Sequence, residues 1–472
     1  MPVRRLNEPR ILGAIVALAF VLRLAWIAYA DFEPTLSDDA GRYDFLGRSL
    51  GEGGGYVNPN GNTTMFWPPG YPFMLTAVYR LWPETAFGDH EVTAALVLNA
   101  MFGAGTVALT YALARRGFST RVALVAASLL ALLPSMIFFT NVTLTETAFT
   151  FLLMLSLWVV VEAERRRSWT WFAVGALIAG YASLVRGLAL LLPAVLAPFW
   201  WRARGNRRAA ALRVAVATLA IGAVIAPWTA RNFIESKAVV AISSNAGVDF
   251  YIGHSDGAEG RGRIVEELVL RYPALPPAEA EARVSRDGFR EGIEWALRSP
   301  TREAELAARK TFYLWYRDDE GLRWNDGHGE RAIMPATVRT AMIWLSNLYY
   351  WPLMLAAAAG MAVTLRDLYA RGRDASARRR SLTEPSAPAR FAREHDEPVA
   401  ILLLTLITYW TLAHIVFFGD PRFHAPVMPA VCMFAAVPIV AGFDYAALRL
   451  RRTRTSPTDP AASAANAGTI AT

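Results

Sequence analysis

Runs of about twenty apolar residues recur along this 472-residue chain, separated by short loops rich in arginine or in polar residues. Such a run is long enough to cross the hydrocarbon core of a bilayer, and only as a helix does it satisfy its own backbone hydrogen bonds there. The pattern predicts about ten spans. They lie near residues 11–30, 91–113, from Arg121 to 139, from 148 to the ERRRS run at 164–168, 169–184, 187–201, 212–228, 338–365, 399–418 and 425–445. Arginines crowd alternate loops, and placing those loops on the cytoplasmic side puts both termini inside. The 54% hydrophobic content rules out a soluble chain of this length. The 15 tryptophans suit rings placed at the two membrane interfaces. The first apolar run is long, carries Arg23 and lacks a small-residue cleavage site, so it reads as an uncleaved span.

The net charge of +8 raises the question of nucleic acid. The positive residues sit in loops between spans and no nucleic-acid motif accompanies them, so no nucleic-acid partner is expected. The single cysteine, Cys432, excludes an internal disulfide, and the six histidines form no HExxH pair. A divalent metal is possible but not required by these residues.

The apolar pattern divides the chain. Residues 1–230 form an N-terminal membrane module with a long first outer loop at 31–90. Residues 231–335 form a small outer insertion, opening on a β-like stretch (AVVAIS, 238–243) and continuing into helices near 277–297 and 301–316. Residues 336–445 are the C-terminal spans, carrying a mobile cytoplasmic linker at 366–397. Residues 446–472 form a disordered cytoplasmic tail.

Residues 37–44 (SDDAGRYD) follow the first span directly. Asp39, Tyr43, Leu46 and Leu50 fall on one face of a short helix that ends at the Gly53-Gly54-Gly55 run. That phase turns Asp39 toward the membrane or a cavity. Asp38 is the helix cap or the i, i+4 partner of Arg42. The segment 65–82 reads as an interfacial helix with Pro68 or Pro69 in its first turn. Asp38, Asp39, Arg42, Glu146, Arg186, Arg231, Lys310 and Arg422 all fall on the outer side. Arginines at outer span ends oppose the charge bias. Each either snorkels or belongs to a cluster that holds an anionic phosphate. Group transfer from a phosphate leaving group needs both things found here. A carboxylate orients or deprotonates the acceptor hydroxyl, and positive charge stabilises the departing phosphate.

The motifs resemble those of bacterial membrane glycosyltransferases of the GT-C class, similar to the protein mannosyltransferases and the lipid A aminoarabinose transferases. They are D-A-x-x-Y-x-x-L-x-R-S-L at 39–50, P-P-G-Y-P at 68–72, the T-E turn at Glu146 and L-V-R-G around Arg186. P-W-x-x-R-N follows at 227–232, then S-N-A-G-x-x-F-Y-I-G at 244–253 and R-F-x-x-P-x-x-P at 422–429. The resemblance implies an all-α polytopic GT-C fold in the bacterial inner membrane. It also implies inverting transfer of a sugar from a polyprenyl-phosphate donor to a glycan, lipid or protein acceptor at the outer face. It places the catalytic carboxylate at Asp39, with Asp38 beside it. Arg42, Tyr43, Tyr71, Glu146, Arg186, Arg231 and Arg422 are then the substrate-binding set. Two positions depart from the family pattern: Ala40 stands where an acidic residue is common, and Trp67 where some members carry Lys or Arg. These departures keep a non-catalytic assembly subunit in view. A transporter or flippase of lipid-linked sugars would place ionisable groups at mid-span and show inverted repeats. Here the charges sit at span ends, Arg23 excepted, and no repeat is evident.

Overall fold

The computed structural model describes residues 7–30, 32–81, 91–329, 333–380 and 397–455. It is helical throughout. Among the described residues only two isolated bridges, Val57 with Thr63 and Arg261 with Gly419, have β character. Seven helices are long and apolar enough to cross a membrane: Glu8–Ala30, Val92–Gly117, Thr145–Arg166, Arg207–Ser236, Ala336–Arg371, Glu397–Val416 and Pro421–Ala447. An eighth passes if Thr120–Leu132 and Pro134–Asn141, bent by 60°, count as one span. Pro134 starts the second half of that pair; its ring clashes with the preceding turn and it has no N–H to continue the ladder, which favours a break at this point. The remaining two expected spans are shorter. Trp169–Val185 has 17 residues, and the region 187–204 is a 3-10 turn followed by the 13-residue helix Leu192–Arg204.

Three of the arginine-rich turns are tight. Ser119, Ser168 and Asn206 each cap the following helix by accepting a backbone N–H. Ion pairs tie helix ends together at this end of the bundle. Arg116 and Arg166 meet Glu162, Arg204 and Arg213 meet Glu164, and Arg115 meets Glu8.

Other expectations are corrected. The stretch 238–243 is not a strand. Its carbonyls are taken instead by side chains of the helix Arg207–Ser236: Trp228 donates to Ile242, Thr229 to Ala241, and Asn232 to Val240 and Ile242. Those donors remove the need for a neighbouring strand. Pro68 and Pro69 precede the helix Gly70–Leu81, and Pro69 follows Pro68, which is itself biased to extended conformation by the proline after it. Pro72 sits in its first turn instead. The linker is helical as far as Arg380, and the helix Met428–Thr455 continues into the tail. Residues 381–396 and 456–472 of those two segments lie outside the described residues, as do 82–90 of the first loop.

The segment after Ser236 packs on the end of the bundle opposite the ion pairs. The helices Pro277–Arg298 and Pro300–Trp315 match expectation closely. The helix Asn245–Gly253 crosses Pro277–Arg298, and the segment 417–419 seats against Gly253. Glu281 pins the insertion to the first loop, accepting from Thr64 Oγ1 and Met65 N, both at 2.7 Å.

Candidate active site

Four of the chain segments that bring ionisable groups to one cavity do so from the end of a helix. Asp39 opens the helix Asp39–Gly51, Glu146 lies in the first turn of Thr145–Arg166, Arg186 follows Val185, and Arg422 lies in the turn before Met428. The cavity encloses about 1020 Å³.

Asp39 is held by its surroundings. Asp38 caps the helix, its carboxylate accepting from Gly41 N at 2.9 Å. At Gly41 the loop crosses so closely that an added Cβ would lie 1.8 Å from the Thr35 carbonyl oxygen. Thr143 Oγ1 donates to the Ala40 carbonyl at 2.9 Å and ties the helix start to the turn before Glu146. Further along, Asp44 accepts from Tyr79 at 2.6 Å and Arg48 at 2.8 Å, while Ser49 donates to Gly55 at 2.9 Å. The R-S-L part of the motif therefore anchors the helix and does not face the cavity.

A chain of charges links the segments. Arg422 donates to Asp39 at 3.0 Å and lies 3.9 Å from Glu146. Arg186 donates to the same Glu146 oxygen at 2.9 Å. The two guanidiniums share the ring of Phe423, at 5.1 Å for Arg186 and 5.0 Å for Arg422, and Arg422 also lies over Trp324 at 4.9 Å. The Arg422 turn is rigid. Asp420 accepts from Arg422 N at 2.9 Å, and His424 bonds Asp318 and the Leu314 carbonyl while stacked between Trp315 and Tyr350. The Glu146 side chain is 2% exposed, so it is sealed behind the arginines. That of Asp39 is 36% exposed and open to the cavity.

Of the expected residues, Asp39, Tyr43, Glu146, Arg186 and Arg422 line this cavity. Asp38 does not, and no ion pair joins it to Arg42. The Arg42 guanidinium instead lies over the Trp67 ring at 5.8 Å, and the Trp67 indole N–H points at Asp39 across 3.4 Å. Trp67 thus stands between Arg42 and the cavity. Arg231 is also turned away. It donates to the carbonyls of Thr64 and Tyr56 and clamps the first loop. Tyr71 is buried, bonded to Asn99 and edge-on to Tyr43. Its P-P-G-Y-P motif packs the helix Gly70–Leu81 against Leu184 and Val185, next to Arg186. Lys310 is buried against His254, where desolvation lowers its pKa to about 8.

Asp249 is a cavity residue that the sequence reading does not single out. Asp249 falls at a variable position of the S-N-A-G-x-x-F-Y-I-G stretch, bonded to Asn245 at 3.2 Å. Burial, and then the charge of Asp39, push its carboxyl up to about 7 against the pull of Arg422 and Arg186. A lone carboxylate in the apolar helix Asn245–Gly253 was the available signal. Among the described residues no group of three or more His, Cys, Asp or Glu is placed to hold a metal ion. The Asp39 and Glu146 carboxylates face guanidiniums.

Residues 67–230 match the model of the dolichyl-phosphate-mannose-protein mannosyltransferase family. No curated protein matches the chain in sequence. The apo crystal structure of the Archaeoglobus fulgidus oligosaccharyltransferase superposes with a TM-score of 0.54 at 14% identity, over 95% of this chain and 52% of that one. AglB, the oligosaccharyltransferase of the same organism, in complex with an inhibitory peptide and a dolichol-phosphate, gives 0.53 at 13% identity, over 96% and 52%. ArnT from Cupriavidus metallidurans is more distant, with a TM-score of 0.39 at 16% identity over 88% and 77%. This chain spans about half the length of the archaeal oligosaccharyltransferase. Its apolar spans, its helix order and the likeness to the archaeal oligosaccharyltransferase make it an all-helical, polytopic membrane protein of the GT-C fold.

Proposed function

We propose that this protein is an inverting glycosyltransferase that moves a sugar from a polyprenyl-phosphate donor to an acceptor hydroxyl at the outer face of the bacterial inner membrane. The observation that carries the reading is the chain Asp39–Arg422–Glu146–Arg186 inside one cavity. One carboxylate open to that cavity lies beside two guanidiniums that a second, sealed carboxylate holds in place. The mannosyltransferase-family match over 67–230 and the dolichol-phosphate in the AglB complex support a lipid-phosphate donor.

In this reading the acceptor oxygen attacks the anomeric carbon from the face opposite the lipid phosphate. The carbon–oxygen bond to phosphate breaks as the new glycosidic bond forms, and Asp39 takes the acceptor proton. Arg422 and Arg186 receive the charge that appears on the departing phosphate. Arg422 holds Asp39 before the donor arrives, so a phosphate that draws Arg422 toward itself frees the carboxylate for the acceptor. Apolar lips, among them Leu191 at 57% and Val239 at 80% exposure, offer the lipid tail a path beside the spans. Each CH₂ buried there contributes about 0.8 kcal/mol.

The test is transfer of labelled sugar by the purified protein in nanodiscs, with polyprenyl-phosphate sugars compared against the matching nucleotide sugars. Product from the lipid donors alone supports the reading; product from nucleotide sugars alone overturns it. Cysteines introduced at the exposed positions Ala274 and Ala203 test the orientation, because both should label, and from opposite sides of the membrane.

A further inference from the structure

The cavity has a second charged region, on the wall that the insertion supplies. The helix Pro277–Arg298 turns Glu279, Ala282, Arg283, Arg286 and Phe289 toward it, at the spacing of one helical face. Lys237, the left-handed residue (φ 57°) that ends the helix Arg207–Ser236, faces the same space.

These cations have no carboxylate partners, unlike most arginines of the insertion. On the same helix, Arg290 pairs with Asp287 and Glu291, and Arg298 pairs with Glu294. Elsewhere in the insertion Arg263, Arg271, Arg302 and Arg309 are all paired. Arg283 has only the Tyr272 ring at 5.4 Å, and Lys237 only the Ile234 carbonyl at 2.6 Å. Among the described residues Arg286 has no hydrogen bond, ion pair or ring contact. Glu279 is the one carboxylate beside them on the cavity-facing side of that helix. The inner end differs, since Asp39 and Glu146 there neutralise Arg186 and Arg422. Three cations without carboxylate partners thus share the cavity wall at the insertion.

We infer that this outer chamber binds a phosphate or carboxylate group of the acceptor, held by Arg283, Arg286 and Lys237 while the acceptor hydroxyl reaches Asp39. The inference rests on the transferase reading and adds the chemical class of the acceptor. A neutral acceptor would leave three cations at the cavity wall with Glu279 as the one carboxylate of that helix face beside them, whereas an anionic one is steered in and oriented by them.

Binding separates the two ideas, because it needs no turnover. The probes are a dansyl-hexyl glucoside and its 6-phosphate, titrated onto the full chain in phosphatidylcholine nanodiscs saturated with undecaprenyl phosphate. The phosphorylated probe should bind about tenfold more tightly, as one added charge-assisted contact implies. The preference should disappear in the Arg283→Ala/Arg286→Ala double variant and survive in Arg290→Ala, whose arginine is already paired. It should also survive in Asp39→Asn, so that loss of transfer and loss of anion binding are separate results. Equal binding of both probes overturns the inference, as does a preference that persists in the double variant. Displacement of the probe by anionic phosphatidylglycerol in the nanodisc also overturns it, by making the patch a contact with the membrane surface.

Discussion

Arg422→Lys keeps the positive charge and removes the geometry, so it isolates what the guanidinium supplies. In the protein Arg422 reaches Asp39 at 3.0 Å, approaches Glu146 at 3.9 Å and lies against Trp324 and Phe423 at 4.9 and 5.0 Å. A lysine offers a single charge on a flexible stem and cannot form two parallel hydrogen bonds to phosphate. The lost charge-assisted bond is worth about 1.5–3 kcal/mol, and the lost stacking about 0.5–2 kcal/mol. Together they make about 2–5 kcal/mol, which is about a 30- to 5,000-fold fall in kcat/KM for the donor. The assay is initial rate of labelled-sugar transfer against donor concentration, with size-exclusion profile and thermal midpoint as folding controls. Arg80→Lys, at an exposed arginine bonded only to the Leu50 and Gly51 carbonyls, is the control substitution and should change nothing. A well-folded Arg422→Lys protein whose donor kcat/KM stays within about threefold of the parent would refute the assignment of Arg422 to the phosphate.

Three further predictions follow from particular contacts. Asp39→Asn should lower transfer by about 10³-fold or more with donor binding retained, whereas Asp38→Asn, which keeps a good cap, should cost less than about tenfold; the reverse order exchanges the two roles. Asp249 holds its proton up to about pH 7 in the folded protein, but the unfolded chain releases it near pH 3.9. Stability should therefore fall as pH rises between those values, by at most about 4 kcal/mol and less because the side chain faces the cavity. Asp249→Asn should flatten the thermal midpoint across that window, and an unchanged pH dependence contradicts the environment described. Gly41→Ala forces a Cβ toward the Thr35 carbonyl and should cost about 1–3 kcal/mol of stability. It should also disturb Asp39, so a variant with the parent's thermal midpoint and activity would count against that packing.

The spans were legible because lipid imposes one requirement, an unbroken apolar run, and sequence shows it directly. Proline broke the pattern where the chain bends, at Pro134, and short helices such as Leu192–Arg204 read as spans because composition does not report length across the membrane. The position of Asp39 was legible from helical phase, since Asp39 and Tyr43 share a face and both reach the cavity. The arginines were not separable from sequence. Arg231 and Arg186 both sit at span ends, yet one clamps the carbonyls of Tyr56 and Thr64 and the other meets Glu146. That difference depends on which distant loop folds beside each of them. Trp67 shows the same limit. It stands where some family members carry a basic residue, and the sequence does not show that its indole N–H faces Asp39 and its ring carries Arg42. The strand-like stretch 238–243 failed for a related reason, because its carbonyls find donors on a helix that local pattern does not see.

The most direct test of the central claim is a structure of the protein with undecaprenyl phosphate bound in nanodiscs. The account predicts the phosphate oxygens within about 3 Å of the Arg422 and Arg186 guanidiniums, with Arg422 drawn away from Asp39 and the lipid tail leaving past Leu191. A phosphate bound elsewhere, at Arg42 or among Arg283, Arg286 and Lys237, with the Arg422–Asp39 pair intact, would contradict it.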